Sequence, residues 1–222
     1  MIQLNNVHRH YVMASETIRA LDGITLSIKE GERIILLGPS GSGKTTLLNC
    51  ISGLDVPTAG EYLFDGIPVT GNSEDLTTFR RKNVGYVFQF FNLLQDLTVL
   101  ENVLLIQELS GQRDAKRAKE VLRLVGLDSE INRFPSEISG GQQQRVAIAR
   151  SIAKSPKLLL GDELTGNLDS GTSARVMEAL TEACKSENIT TIMVTHDESL
   201  AKYATRAIHL DSGKVKSDEQ VV

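Results

Sequence analysis

The sequence predicts an α/β fold: a sheet-based core interrupted by a helical insertion. Three observations predict it. In the strand expected over 33–37, Arg33 leads a continuous apolar run, 34–37, that opens directly into a glycine-rich turn and a helix-like stretch, as a strand buried on both faces does. Strand-like stretches return at 157–160, 190–195 and 207–210, with helical spacing over 172–185 between the first two. Between them, residues 97–153 carry helical periodicity, and 113–125 are strongly charged along one face.

Taken in order, Ile2-Gln3-Leu4 reads as a strand followed by a polar loop, and a second strand follows at 24–28 before the turn Lys29-Glu30-Gly31-Glu32. Residues 45–52 read as a helix stopped by Gly53 and Pro57. Further strands are expected at 61–64 and 84–88. The 222 residues correspond to about one and a half domains at roughly 150 residues each. The core is therefore expected over 1–89 and 154–222, with a helical lobe over 90–153 and no internal repeat.

Composition narrows the class. Hydrophobic residues at 41 % and charged residues at 23 % are a globular balance. The longest apolar runs, such as Ile34-Ile35-Leu36-Leu37, fall far short of the roughly 20 residues that cross a bilayer. The start, Met1-Ile2-Gln3-Leu4-Asn5-Asn6, lacks the order of a secretion signal. Neither a spanning nor a secreted chain is expected. A net charge of −4 argues against a nucleic-acid partner, because backbone phosphates require a basic face. Cys50 and Cys184 have no metal-ligand spacing and are expected as reduced, packed thiols.

Three motifs carry chemistry. Gly38-Pro39-Ser40-Gly41-Ser42-Gly43-Lys44-Thr45 fits the phosphate-binding pattern G-x-x-x-x-G-K-[ST]. Its glycines let backbone N–H groups approach a polyphosphate, Lys44 brings a point charge to the β- and γ-phosphates, and the Thr45 hydroxyl suits Mg²⁺. Thr46 continues this wall on the helix, whose N-terminus adds partial positive charge. The run 157–163 is an apolar strand ending in Asp162 and Glu163. Asp162 would hold Mg²⁺ directly or through water, and Glu163 would orient or deprotonate an attacking water. Third, Ser139-Gly140-Gly141-Gln142 opens a helix with Ser139 as N-cap, a second helix N-terminus suited to an anion.

These motifs together, with Asp162 coming 23 positions after Ser139 (139 to 162), resemble the nucleotide-binding subunits of ABC transporters. The resemblance covers the whole chain and implies one ABC-type nucleotide-binding domain over 1–222. That domain has a P-loop NTPase (RecA-like) core, an N-terminal antiparallel β subdomain and an inserted α-helical subdomain. It implies a Q-loop role for Gln89 at the metal and γ-phosphate, and a D-loop at Asn167-Leu168-Asp169 that places Asp169 at the nucleotide. It also implies a switch role for His196 on the γ-phosphate and an adenine-stacking role for Tyr11. Ile138 stands where the family usually has Leu, Leu164 where it has Pro, and Gly161 where Ala is common. The last two departures suggest a looser strand end and a more flexible Glu163.

The resemblance further implies that two copies sandwich two ATP molecules, the signature of each completing the P-loop site of the other, which agrees with two anion-binding helix termini in one chain. Glu163, His196 and Lys44 would then carry catalysis. A separate membrane permease would dock near Gln89 and the helical lobe, where Phe88, Phe90, Phe91, Leu93 and Leu94 gather, holding the protein at the cytoplasmic face of the inner membrane. Gly53-Leu54-Asp55-Val56-Pro57-Thr58 and Thr165-Gly166-Asn167-Leu168-Asp169 resemble the lipoprotein-releasing and macrolide-exporter branch, which implies export of lipoprotein, lipid, peptide or drug. The alternative is the same ATPase in a non-transporting complex that regulates cell-wall or cell-division enzymes. A nucleic-acid-associated ATPase of the same signature would need a coiled-coil or zinc insertion, or two cassettes, which this chain lacks.

Overall fold

The structure, a computed structural model, describes residues 1–13 and 16–221. In chain order its first elements are β1 (Ile2–Val12), β2 (Thr17–Ile28), β3 (Arg33–Leu37), α1 (Lys44–Ser52), β4 (Ala59–Phe64), β5 (Ile67–Pro68) and α2 (Ser73–Asn83). There follow β6 (Val84–Val87), α3 (Val99–Leu109), α4 (Ala115–Leu124), α5 (Gly140–Ile152), β7 (Leu158–Asp162), α6 (Ser170–Ser186), β8 (Thr190–Val194), β9 (Arg206–Asp211) and β10 (Lys214–Gln220). The chain divides into two compact units, Met1–Arg81 with Ile192–Val222, and Lys82–Thr191.

The first unit contains an antiparallel sheet in the order β2-β1-β4-β5, which is the N-terminal β subdomain. Its buried face is formed by Ile2, Leu4, Val7, Ile24, Leu26 and Ile28 with Tyr62 and Phe64. The same unit holds β3 paired in parallel with β9, and β10 antiparallel on the far side of β9. Residues Ile34 to Leu37 are all buried, which explains why β3 reads as an unbroken apolar run.

The polar loop expected after Leu4 is instead part of a long hairpin: β1 runs to Val12 and pairs antiparallel with β2 from Thr17. Beyond Val7 its residues are half-buried or exposed, so a polar sequence satisfies the strand through its backbone ladder alone. Helix α2 was also absent from the apolar pattern, because it buries only Leu76 among its interior positions. Its start is nonetheless written in the sequence: Asn72 Oδ1 accepts from the N–H groups of Glu74 and Asp75 at 2.8 and 3.0 Å, and both acids sit in the first turn. Phe79 then packs edge-on against Phe64 and Tyr62, ring centroids 5.2 and 6.3 Å away.

In the second unit β6 and β7 pair in parallel, Val84 to Val87 opposite Leu158 to Gly161. The helices between them start at side-chain caps. Thr98 and Glu101 form a capping box on α3, Asp114 caps α4, and Ser139 with Gln142 forms a capping box on α5. Arg117 of α4 makes a bidentate pair with Glu187 just past α6, at 2.9 and 2.6 Å, the geometry in which such pairs are strongest. Cys50 and Cys184 are both buried, and burial pushes the Cys50 thiol up to about 12, which suits an inert packed thiol.

Candidate functional site

In the first unit, the loop from Gly38 to Gly43 joins β3 to α1. Gly43 occupies the N-cap in the left-handed region, φ 101°, with no side chain capping the helix. A Cβ at Gly43 would also meet the Ala20 carbonyl. The first-turn N–H groups of α1 therefore have no side-chain acceptor, the arrangement that receives an anion. Lys44 is nearly buried, and its ammonium donates to the Gly38 and Pro39 carbonyls at 2.7 and 2.8 Å. The Ser42 hydroxyl is 2 % exposed and makes no hydrogen bond, a buried polar group of the kind a ligand satisfies. Pro39, Ser40, Gly41 and Thr45 are exposed and Thr46 half-buried.

Tyr11 stands beside this loop. Its hydroxyl donates to Asp55 Oδ2 at 2.6 Å and has Thr46 as a further neighbour. Arg9 lies over the ring, 4.4 Å from Cζ to the centroid, and its Nε donates to the same Asp55 oxygen at 2.8 Å. Partial burial raises the Asp55 carboxyl, but the bonds from Arg9 and Tyr11 outweigh it and hold the group below the usual carboxylate range. Arg9 and Asp55 were not singled out from sequence. Their only trace is the Arg9-x-Tyr11 alternation on one strand face, because Asp55 lies 44 residues away. His196 is exposed and follows β8. The Thr195 N–H donates to the Leu36 carbonyl at 3.3 Å, so His196 leaves the sheet beside the end of β3.

In the second unit, Gln89 follows β6, and Asp162 ends its parallel neighbour β7. Both are half-buried, at the carboxyl strand ends where open α/β sheets hold ligands. Burial, and next the Asp162 charge, keep the neighbouring Tyr86 phenol above its ordinary range. Glu163 adopts φ 48°, which turns the chain out of the strand and re-aims its side chain. A single point beside Gly166 lies 3.4 Å from Gln89 Nε2 and 3.7 Å from Glu163 Oε2, so the amide and the carboxylate share one side of this turn.

The looseness suggested by Gly161 is filled in. Leu164 is 5 % exposed, and its side-chain carbons lie 2.8 to 3.1 Å from where a Cβ at position 161 would stand. The two departures from the family pattern are thus one packing unit: the larger side chain occupies the room the missing methyl leaves.

Ser139 caps α5 by accepting from the Gln142 N–H at 3.3 Å, while Gln142 Oε1 accepts from the Ser139 N–H at 2.8 Å. Gly140 faces Leu168 and Phe91, and Gly141 is packed against Thr172 of α6. Asp169 is exposed and caps α6, accepting from the Thr172 N–H at 3.0 Å, and its bonds from the Thr172 side chain and N–H lower its carboxyl. Of the apolar cluster after Gln89, Leu93 is buried and Phe91 half-buried, whereas Phe88, Phe90 and Leu94 are exposed at 42, 68 and 49 %. Side-chain hydrogen bonds hold the backbone of the segment from Phe91 to Thr98. Buried Asn102 bonds the backbone at Leu94, Leu97 and Thr98, and Arg150 donates to the Asn92 and Phe91 carbonyls.

An α/β phosphate-binding loop, a strand ending in paired acids and a glycine-rich helix start define a nucleotide-hydrolysing cassette. The family profile described as ABC transporter matches residues 21–166, and the chain belongs to the ABC transporter family as an ATP-binding, ATP-hydrolysing subunit. It is 42 % identical over 219 residues to the lipoprotein-releasing system ATP-binding protein LolD of Syntrophus aciditrophicus, covering 97 % of this chain and 98 % of that protein. It is 43 % identical over 223 residues to the macrolide export ATP-binding/permease protein MacB of Chlorobium phaeobacteroides, where 99 % of this chain matches 34 % of the longer protein. Among solved structures, an ATP-binding cassette of Methanocaldococcus jannaschii in a dimeric, post-hydrolysis state with ADP and Pi aligns at TM-score 0.88 and 42 % identity, over 100 % of this chain and 99 % of that one.

Proposed function

We propose that this chain is the ATPase of an export system of the LolD and MacB type, working as an ATP-bound pair of copies on a separate membrane permease. The observation that carries the reading is the turn after β7, where the Glu163 carboxylate and the Gln89 amide lie on one side of Gly166. In a nucleotide-bound copy, Lys44 and the N–H groups of 38–46 hold the phosphates. Glu163 takes the proton of an attacking water, and Gln89 orients that water. His196 donates to the charge that develops on the γ-phosphate. Ser139, Gly140, Gly141 and Gln142 face the nucleotide of the second copy, with Asp169 at the same junction. Domain limits of 90–153 for the helical lobe, and 1–89 with 154–222 for the core, belong to this reading.

The side chains also fit Mg²⁺. The exposed Thr45 hydroxyl, the Asp162 carboxylate and the Gln89 amide oxygen are hard oxygen donors in a set small enough to leave the ion its waters. When bound, Mg²⁺ neutralises charge on the phosphate oxygens.

Exposure of Phe88, Phe90 and Leu94 supports docking of the permease there, and export follows the names of the LolD and MacB relatives. Among the described residues no helix is long and apolar enough to cross a membrane. We place the protein at the cytoplasmic face of the inner membrane through that permease. The reading is tested by ATPase activity against protein concentration. Specific activity is expected to rise as copies pair, and a flat, fully active profile at the lowest concentrations overturns completion of the site by a second copy.

The Tyr11 platform gives a second measurement. Arg9 covers one ring face, and the base is proposed to stack on the other. Tyr11→Ala is expected to weaken ATP binding by about 1–3 kcal/mol, about 5- to 150-fold. Equilibrium titration with a fluorescent ATP analogue checks this, and unchanged affinity removes the stacking role. The clamp beneath it is insensitive to mild acid. A carboxyl lowered in the folded state adds stability above its unfolded value of about 3.9 and loses it only as pH falls through the lower folded value. Asp55 therefore holds Tyr11 and Arg9 across neutral pH, and base affinity is expected to stay flat from about pH 6 to 8.

A further inference from the structure

Strand β1 carries His8 and His10 on one face and Arg9 with Tyr11 on the other, as strand alternation dictates. The hairpin brings Asp22 of β2 opposite His8 in register. His8 Nδ1 lies 3.3 Å from Asp22 Oδ1, and His10 Nε2 lies 3.8 Å from the same oxygen. All three donor atoms fall within 4.8 Å of one another.

The two nitrogens are shielded from solvent, and neither makes a hydrogen bond. His8 Nε2 lies 3.3 Å from Asn6 Oδ1. With that carbonyl oxygen accepting, the ring proton sits on Nε2, and Nδ1 turns a lone pair toward the carboxylate. Electron-pair donors are thus aimed at one small space. A single proton between one imidazole and Asp22 satisfies one nitrogen and leaves the other orphaned. One cation satisfies all three.

We propose that His8, His10 and Asp22 form a site for a divalent transition-metal ion of the Zn²⁺ class, which the family's nucleotide chemistry does not use. Two imidazoles and a carboxylate are a ligand set that zinc accepts, with water completing the coordination. Bonds of about 2.0–2.1 Å to a tetrahedral ion separate neighbouring ligand atoms by about 3.3 Å. That equals the His8–Asp22 separation, and His10 Nε2 lies about half an ångström beyond it from the same oxygen, so the two imidazoles close on the ion by side-chain adjustment.

The surroundings fit. The Asn6 carbonyl fixes the His8 tautomer as an outer-shell acceptor does in metal sites. Asp22 Oδ2, the other carboxylate oxygen, pairs with Lys214 Nζ at 3.4 Å, and Lys214 is largely exposed and able to swing away. Arg19 is a further positive charge near Asp22. The side chains of His8, His10 and Asp22 are 23, 29 and 24 % exposed, enough for an ion to enter.

The test uses the chelator-stripped full chain without nucleotide or Mg²⁺. Zn²⁺ titration by calorimetry is expected to show one ion per chain. Co²⁺ is expected to give the intense visible bands of a tetrahedral site. Zn²⁺ should also raise the melting temperature, since an ion that binds only the folded state stabilises it. His8→Gln and His10→Gln are each expected to weaken binding at least about tenfold and to abolish the melting shift, and Asn6→Ser to weaken it about tenfold or more. His209→Gln, away from the cluster, keeps both. The melting temperature of each variant in chelator shows that it still folds, and ATPase activity is expected to persist in His10→Gln. Absence of Zn²⁺ binding in molar excess, or affinity unchanged in both His8→Gln and His10→Gln, overturns the site.

Discussion

Glu163→Gln is expected to leave ATP bound and unhydrolysed. Glutamine keeps the length and shape of the side chain, so the turn at φ 48° and the Gly166 N–H bond to the Glu163 carbonyl, 3.1 Å, are retained. What is lost is the acceptor that takes the proton of water. General-base catalysis contributes roughly 10²- to 10⁴-fold, and turnover should fall by about that factor, equivalent to roughly 3–5 kcal/mol of barrier. ATP affinity should hold, because Lys44, the 38–46 backbone and Tyr11 are untouched. If hydrolysis is what parts the two copies, the variant accumulates as an ATP-bound dimer on size exclusion, and the parental chain does not. Turnover at the parental rate would remove Glu163 as the base. Loss of ATP binding would show instead that the carboxylate shapes the site.

The elements legible in the sequence were those whose causes are local. The strand at 33–37 with its apolar run 34–37, the glycines after it and the helix at 44 specify one another within a dozen positions, and they appear as β3, loop and α1 within a residue of the expected limits. The capping box at Ser139 and Gln142 is equally local. Less legible were features whose partners are remote or polar. Arg9 and Tyr11 are given a purpose by Asp55, more than 40 residues along the chain. The far half of the β1–β2 hairpin and strand β10 carry polar sequences that the ladder, not burial, keeps extended. The His8–His10–Asp22 cluster left only a His-x-His alternation, which means nothing until β2 supplies the carboxylate. Gly161 and Leu164 were both visible as departures. Read separately they implied looseness, and only their packing against each other reverses that reading.

That packing predicts a strongly non-additive pair. Leu164→Ala removes a buried side chain that rests on a residue without a Cβ, so little can collapse into the gap. Destabilisation of about 2–5 kcal/mol is expected. Gly161→Ala alone puts a methyl 2.8 to 3.1 Å from the Leu164 carbons, closer than such atoms approach, and overpacking of this kind costs roughly 1–3 kcal/mol. In the double variant the new methyl enters the space the leucine vacated. Its loss of stability should fall short of the sum of the single losses by about 1–3 kcal/mol, the coupling expected of residues in direct contact. Urea unfolding followed by circular dichroism measures all four corners of the cycle, with the slope checked for constancy before midpoints are compared. Turnover separates packing from catalysis. Asp162 and Glu163 lie between the two exchanged residues, so either single change should lower kcat by moving the acids, and the double variant should recover part of it while ATP affinity stays level. Additivity within about 0.5 kcal/mol would mean that Leu164 rests on something other than Gly161. The strand end would then owe its position to the turn at Glu163 alone.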